Sequence, residues 1–258
     1  MKLLCLAGLF LGIAVAHGAE ITDIRLTTPD HVEIMGTFYP ADGDAAAPAV
    51  ILLHDVLRNR TTWAPFAKLL QRNGLAALTI DLRGHGESIR RNTAAGPQRL
   101  DVQSFAPRDF SDMMLDINAA VDWLNTQPLV SQHKIAIVGS SLSANVAVRY
   151  AVFNEDLAGL VLLSPGLSYR ELRTDDVFAR LNALPVHIIV AHSDGYSYES
   201  TQRLLDLRHA GRTPPEKEVT VCTGEMHGTD LLRAVDGLPQ ILLGWLTKTL
   251  RATPSPAP

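Results

Sequence analysis

Residues 134–138 form a short apolar run that leads into Gly139-Ser140-Ser141-Leu142-Ser143 and then into a helical pattern at 144–148. A serine on such a strand-to-helix turn is held out on a strained backbone, with strand and helix close together, so small residues are needed two positions before and after it. Gly139 and Ser143 fill those places around Ser141. The helix start at Leu142 aims backbone N–H groups and a positive dipole end at any negative charge that develops there. A hydroxyl attacks an acyl carbon only if a base takes its proton and a carboxylate orients the base. Asp194 follows the apolar run 186–191, and His227 follows the run 218–222. Alone, a loop Asp is usually a turn former and a loop His a solvated side chain. At successive strand ends in the order Ser, Asp, His, the three are what nucleophilic acyl transfer requires.

These positions make sense only if the intervening segments alternate between strands and helices. Residues 21–28 and 32–39 read as two strands joined at Pro29-Asp30, and 49–53 as a strand buried on both faces. A helix over 61–73 ends at Gly74, followed by a strand at 75–80. An amphipathic helix is expected over 109–126, with Phe110, Met113, Met114, Ile117, Val121 and Leu124 on one face. Further elements are a strand at 134–138, a helix at 142–153, strands at 157–163 and 186–191, a helix at 198–210, a strand at 218–222 and a helix over 229–250. This alternation predicts a mainly parallel sheet covered on both faces, with an antiparallel opening pair. The Arg-rich stretch 88–107 is expected to be a mobile loop, and Arg58, Arg60, Arg90 and Arg91 to flank the mouth of the site.

The loop after the strand 49–53 reads His54-Asp55-Val56. Its backbone N–H groups could join that of Leu142 in stabilising an oxyanion, with Asp55 favoured and Val56 second. His54 is expected to brace the loop by hydrogen bonds.

The pattern resembles the α/β-hydrolase superfamily over essentially all of the chain after residue 19. It rests on Leu53-His54-Asp55, on Asp81-Leu82-Arg83-Gly84-His85-Gly86-Glu87-Ser88, on the Ser141 turn, on Asp194-Gly195 and on His227-Gly228. Within the superfamily it is most similar to bacterial exported carboxylesterase-like members related to dienelactone hydrolases and serine peptidases. The segment Leu163-Ser164-Pro165-Gly166-Leu167 with Tyr169-Arg170 resembles a subgroup of these. The resemblance implies a twisted, eight-stranded, mostly parallel sheet with helices on both faces, and a structural role for His85. Two positions depart from the family pattern. Asp55 stands where the family has Gly, so its carboxylate must turn away from a negative transition state, and Ser143 replaces the last Gly of the turn. Dienelactone hydrolases proper carry Cys at the Ser141 position and haloalkane dehalogenases carry Asp, so neither activity is expected.

The chain has 258 residues, 47% hydrophobic and 19% charged, with a net charge of −4 and no run of Lys and Arg, which argues against nucleic-acid binding. Lys2 followed by an apolar stretch over 3–16, with small residues at Ala14, Ala16 and Ala19, reads as a secretory signal peptide over 1–19. Its removal leaves Cys222 as the one cysteine, so stability must come from the core. The expected organisation is a signal at 1–19, one hydrolase domain at 20–251 and a disordered Pro-rich tail at 252–258. About twenty residues separate Ser164 from Pro185, too few for a large cap domain. The expected function is a periplasmic or secreted serine hydrolase that cleaves small or medium carboxylic esters, or related acyl bonds, through an acyl-enzyme on Ser141, with His227 as base, Asp194 as its partner and Leu142 and Asp55 N–H groups as oxyanion donors. No cofactor, metal or nucleic acid is expected, and no stable membrane insertion after signal cleavage. The alternatives are an exported peptidase or amidase with the same triad, and a non-catalytic binding protein of the same fold.

Overall fold

The computed structural model of the protein describes residues 20–43, 45–210, 212 and 218–252. The expected signal at 1–19 and, apart from Ala252, the expected tail lie outside the described residues. In chain order the elements are β1 (Thr22–Thr27), β2 (Val32–Tyr39), β3 (Ala47–Leu53), α1 (Ala64–Arg72), β4 (Ala76–Ile80), β5 (Arg90–Thr93), β6 (Gly96–Arg99), α2 (Pro107–Ser111), α3 (Met113–Asn125) and β7 (Val130–Ser140). They continue with α4 (Leu142–Val152), β8 (Leu157–Leu163), β9 (Ser168–Tyr169), β10 (Leu172–Arg173), β11 (Val186–Ala191), α5 (Gly195–His209), β12 (Val219–Cys222), α6 (Leu231–Ala234) and α7 (Leu238–Arg251).

The apolar runs become strands because helices cover both faces of the sheet. In β3 all seven residues are buried. Ala49, Ile51 and Leu53 enter the core beneath α3 and α4, while Val50 and Leu52 enter the one beneath α1 and α7. Alternating side chains thus feed two separate cores, which is why the strand reads as a continuous hydrophobic stretch.

The main sheet has the order β12-β11-β8-β7-β3-β4-β2-β5-β6, with β1 paired to β2. The strands from β12 to β4 run parallel, and β1, β2, β5 and β6 add antiparallel pairs. The sheet therefore has ten strands rather than eight. The extra two come from residues 88–107, which hold a hairpin instead of a mobile loop. It lacks apolar alternation and is kept in place by polar contacts: Arg91 pairs with Asp30 at 2.6 Å, and Arg90 pairs with Glu33 at 3.4 Å. The expected helix over 229–250 is also interrupted. It divides into a short turn, α6 and α7, with Gly237 at φ 77° between the two helices.

From β3 the chain winds to β4 on one side, whereas from β7 it winds to β8, β11 and β12 on the other. The strand order thus reverses between β3 and β7, where their loops part and leave a crevice beyond the carboxyl ends. Leu53 lies opposite Gly139 in the register, so the His54-Asp55 loop and the Ser141 turn flank that crevice. Between β8 and β11 the chain forms only the small β9–β10 hairpin and a 3-10 turn at Phe178–Leu181, so no large cap covers it.

Candidate active site

Ser141 sits between the end of β7 and the start of α4 with φ 56° and ψ −123°, a conformation that L-residues rarely adopt. Its N–H donates to the Leu163 carbonyl at 2.8 Å, which ties the turn to β8. The two small residues have separate reasons. A Cβ on Gly139 would lie 2.6 Å from the Ser143 carbonyl oxygen and 2.8 Å from Ala144 Cα, so strand and helix could not meet. Ser143 is fully buried and its hydroxyl is used: Oγ accepts from the Ser140 N–H at 2.8 Å and lies 3.0 Å from the Leu53 carbonyl oxygen.

Asp194 follows β11 at the head of α5, and His227 follows β12. The three expected residues meet. His227 Nδ1 is 2.6 Å from Asp194 Oδ2, and His227 Nε2 is 2.8 Å from Ser141 Oγ. In the tautomer with its proton on Nδ1, the imidazole donates to the carboxylate and accepts from the hydroxyl, which is the arrangement for removing the serine proton. The imidazole keeps 42% of its side-chain surface exposed, as the small hairpin above it leads one to expect.

The first departure from the family pattern has a structural use. Asp55 is buried, and its carboxylate is taken up by hydrogen bonds to the end of β7 and to the turn after His227. Ser140 Oγ donates to Asp55 Oδ1 at 2.6 Å, Thr229 N–H donates to the same oxygen at 3.3 Å, and the Thr229 hydroxyl donates to Asp55 Oδ2. A second brace runs from the Gly228 N–H to Ser164 Oγ at 3.0 Å. No local pattern marks Ser140 or Thr229, and the segment that contains Ser164 gives that residue no role. The one sign of Ser140 and Thr229 was the buried carboxylate itself, since an Asp in place of Gly demands donors.

Leu142 is buried at the first position of α4, so its N–H has no partner within the helix. Among the described residues none accepts from it or from the N–H groups of Asp55 and Val56, which leaves the three as candidate oxyanion donors. The loop that carries the latter two is fixed by His54, whose Nδ1 lies 2.8 Å from the Asp55 carbonyl and whose Nε2 accepts from Leu82 N–H at 3.1 Å. Burial, then the neighbouring His85, pushes the His54 pKa down to about 4. His85 is also buried, packs edge-on against His54 with ring centroids 4.9 Å apart, and is lowered by burial. Both histidines are thus braces.

The four arginines expected at the mouth are not a free cationic rim. Arg60 is buried and bonded to Asp81 at 2.5 Å and to Glu87, while Arg90 and Arg91 belong to the hairpin pairs described above. Arg58 pairs with Asp230 at 3.2 Å and lines a cavity of about 530 Å³ together with Phe66, Leu69, Arg72, Thr229 and Arg233. Among the described residues no cluster of His, Cys, Asp and Glu could hold a metal ion, and no helix is long and apolar enough to cross a membrane. Cys222 is a buried free thiol at the end of β12.

Comparison with solved structures shows the fold. An α/β-hydrolase from a Penicillium species superposes with a TM-score of 0.71 over 90% of this chain and 99% of that one, at 16% identity. A Pyrococcus furiosus esterase gives 0.68 over 90% and 91%, at 18% identity, and a dienelactone hydrolase from Anabaena variabilis gives 0.64 over 91% and 100%, at 18% identity. The protein has the α/β-hydrolase fold. Residues 44–192 match the profile of the serine aminopeptidase S33 family of hydrolases, and the chain belongs to that family. The match includes Ser141 and ends before Asp194 and His227. An uncharacterized Mycobacterium tuberculosis protein is 33% identical over 58% of this chain and 47% of its own length. A thiohydrolase from Aspergillus aculeatus is 25% identical over 75% and 57%, and a mouse sn-1-specific diacylglycerol lipase 26% over 66% and 50%. The chain spans about half the length of these curated relatives.

Proposed function

We propose that the protein is a serine hydrolase that cleaves carboxylic esters of small or medium acyl groups through an acyl-enzyme on Ser141. The observation that carries this reading is the continuous contact from Asp194 through His227 to Ser141, at 2.6 and 2.8 Å. Ser141 Oγ attacks the acyl carbon while its proton passes to His227 Nε2, and Asp194 stabilises the imidazolium that forms. The N–H of Leu142, with that of Asp55 or Val56, receives the negative charge on the carbonyl oxygen. His227 returns the proton to the leaving alcohol, and a water activated by the same imidazole then releases the acid. Relatives named as esterase, lipase and thiohydrolase support acyl substrates, and the absence of a large cap suits small ones.

The experiment is a panel of p-nitrophenyl esters of increasing acyl length, with thioesters and aminoacyl anilides beside them. Turnover of the esters, lost on the order of 10⁴-fold or more in Ser141→Ala, is the expected result. Turnover of the anilides alone would establish the peptidase or amidase reading that the family's name suggests. No turnover of any acyl substrate would favour a binding protein. The apolar stretch after Lys2 further supports export to the periplasm or beyond, which N-terminal sequencing of the protein from a cell fraction tests.

A further inference from the structure

The segment after β8 is anchored far more firmly than a short surface hairpin requires. Buried Asn145, on α4 and four residues after Ser141, accepts from Gly166 N–H at 3.1 Å and donates to the Leu172 carbonyl at 2.8 Å. The Thr174 hydroxyl donates to the Gly166 carbonyl at 2.8 Å. From α5, the Tyr196 hydroxyl donates to the Ser168 carbonyl at 2.8 Å and accepts from its N–H at 2.9 Å, and Ser200 Oγ accepts from Leu167 N–H. The two helices that hold the hairpin begin just after Ser141 and Asp194, so it is positioned relative to the reacting groups themselves.

What the hairpin delivers is Tyr169. Its ring stands edge-on to His227, with centroids 6.4 Å apart and planes at 86°. The ring lies over Gly166, where a Cβ would come within 2.7 Å of Tyr169 Cε2. The phenolic oxygen is 3.0 Å from Ser197 Oγ, and the hydroxyl donates to the Ser164 carbonyl at 3.5 Å. Burial pushes the phenol up to about 12, so the group stays protonated near neutral pH. Ser197 can donate to the phenolic oxygen, which leaves the Tyr169 proton on the Ser164 carbonyl at 3.5 Å, a contact at the limit of hydrogen bonding that a closer substrate oxygen can replace.

The sheet order assigns this donor a side. Ser141 follows β7, with β3 on one flank and β8 on the other. The oxyanion donors come from α4 and the β3 loop. Tyr169 comes from the β8 side, as do the loops that carry Asp194 and His227. A leaving oxygen must lie within reach of His227 Nε2, hence on that same flank. We propose that Tyr169 is a catalytic residue whose hydroxyl donates a hydrogen bond to the leaving-group oxygen of an ester bound at Ser141. This rests on the serine-hydrolase reading given above. As the tetrahedral intermediate collapses, the bond from carbon to the alcohol oxygen breaks and its electron pair stays on that oxygen, which takes the proton from His227 Nε2. Tyr169 keeps its own proton throughout, and its hydrogen bond strengthens as charge gathers on the leaving oxygen.

The test is Tyr169→Phe, read as kcat/KM over acetate esters whose alcohols range from p-nitrophenol to simple alkyl alcohols. A p-nitrophenolate needs little help, so its ester should lose less than about threefold, whereas alkyl esters should lose about tenfold or more. Ser197→Ala, which removes the partner of the phenol, should give a weaker loss graded in the same order. Melting temperature and Ser141 labelling by a fluorophosphonate are measured on every variant. A uniform loss across the series, or none, in variants that fold and label would overturn the role of Tyr169 while leaving Ser141 as nucleophile. Failure of the wild-type protein to label would instead overturn the hydrolase reading beneath it.

Discussion

The Asp55 carboxylate accepts a 2.6 Å hydrogen bond from the hydroxyl of Ser140, the residue just before Ser141, and with its other oxygen binds the Thr229 hydroxyl, two residues after His227. One buried side chain therefore joins the loop after β3, the nucleophile turn and the loop of the base. The carboxylate is held by two hydroxyls and one N–H.

Replacing Asp55 by Ala should thus disturb both stability and catalysis. Two hydroxyls and an N–H would lose their acceptor in a buried site, which costs about 2–4 kcal/mol. Asn keeps an acceptor for Ser140 and can donate to the Thr229 oxygen, so Asp55→Asn should remain within about 1 kcal/mol of the wild type. Denaturant unfolding, with ester turnover measured alongside, checks the order Asp, Asn, Ala.

At Gly139 the constraint is steric and involves backbone atoms that cannot rotate away. Gly139→Ala places a methyl 2.6 Å from the Ser143 carbonyl oxygen and 2.9 Å from the Ala144 amide nitrogen. A loss of about 1–3 kcal/mol is expected, along with displacement of Ser141. Turnover should fall more steeply than the melting temperature implies; an Ala variant with unchanged kinetics would show that strand and helix are not in such close approach.

His54 makes stability depend on pH. Its folded pKa, pushed down to about 4, lies below the ordinary 6.5, so the unfolded chain takes the proton first. The stability it contributes is present above about pH 6.5 and is lost as pH falls toward 4, on the order of 3 kcal/mol. His85, lowered by burial, acts with the same sign. Asp116, raised to about 6 by burial, acts with the opposite one. The difference between wild type and His54→Gln isolates the first effect, since Gln keeps an acceptor for Leu82 N–H and does not titrate. Unfolding curves at pH 4.5 and 7 should show a smaller pH effect in the variant.

Arg90 and Arg91 test the fate of the cationic rim that the sequence suggested. Because they pair with Glu33 and Asp30 in the β5 hairpin, Arg90→Gln with Arg91→Gln should not change the ratio of turnover between anionic and neutral esters. A selective loss on anionic esters would mean that these side chains reach the substrate after all.

The readable parts of this protein are those in which one residue type answers one physical demand. Ser141 with Gly139, and the strand ends before Asp194 and His227, follow from apolar runs and small-residue spacing, and the structure brings the three side chains into contact. The β5–β6 hairpin escaped because its pairing is held by Asp30 and Glu33 from elsewhere in the chain rather than by alternating apolar residues. The break before α7 escaped for a related reason, since Gly237 matters through its φ of 77° while the apolar pattern runs on across it. Asp55 was visible as an anomaly, but its partners Ser140 and Thr229 lie 85 and 174 residues away, a separation that no local pattern encodes.

The most direct measurement is covalent. Treatment of the folded wild-type protein with a fluorophosphonate, followed by peptide mass spectrometry, should find the phosphonyl adduct on Ser141. His227→Ala should slow its formation by orders of magnitude, and Ser141→Ala should abolish it. An unlabelled wild type, or an adduct on a different serine, would contradict the account.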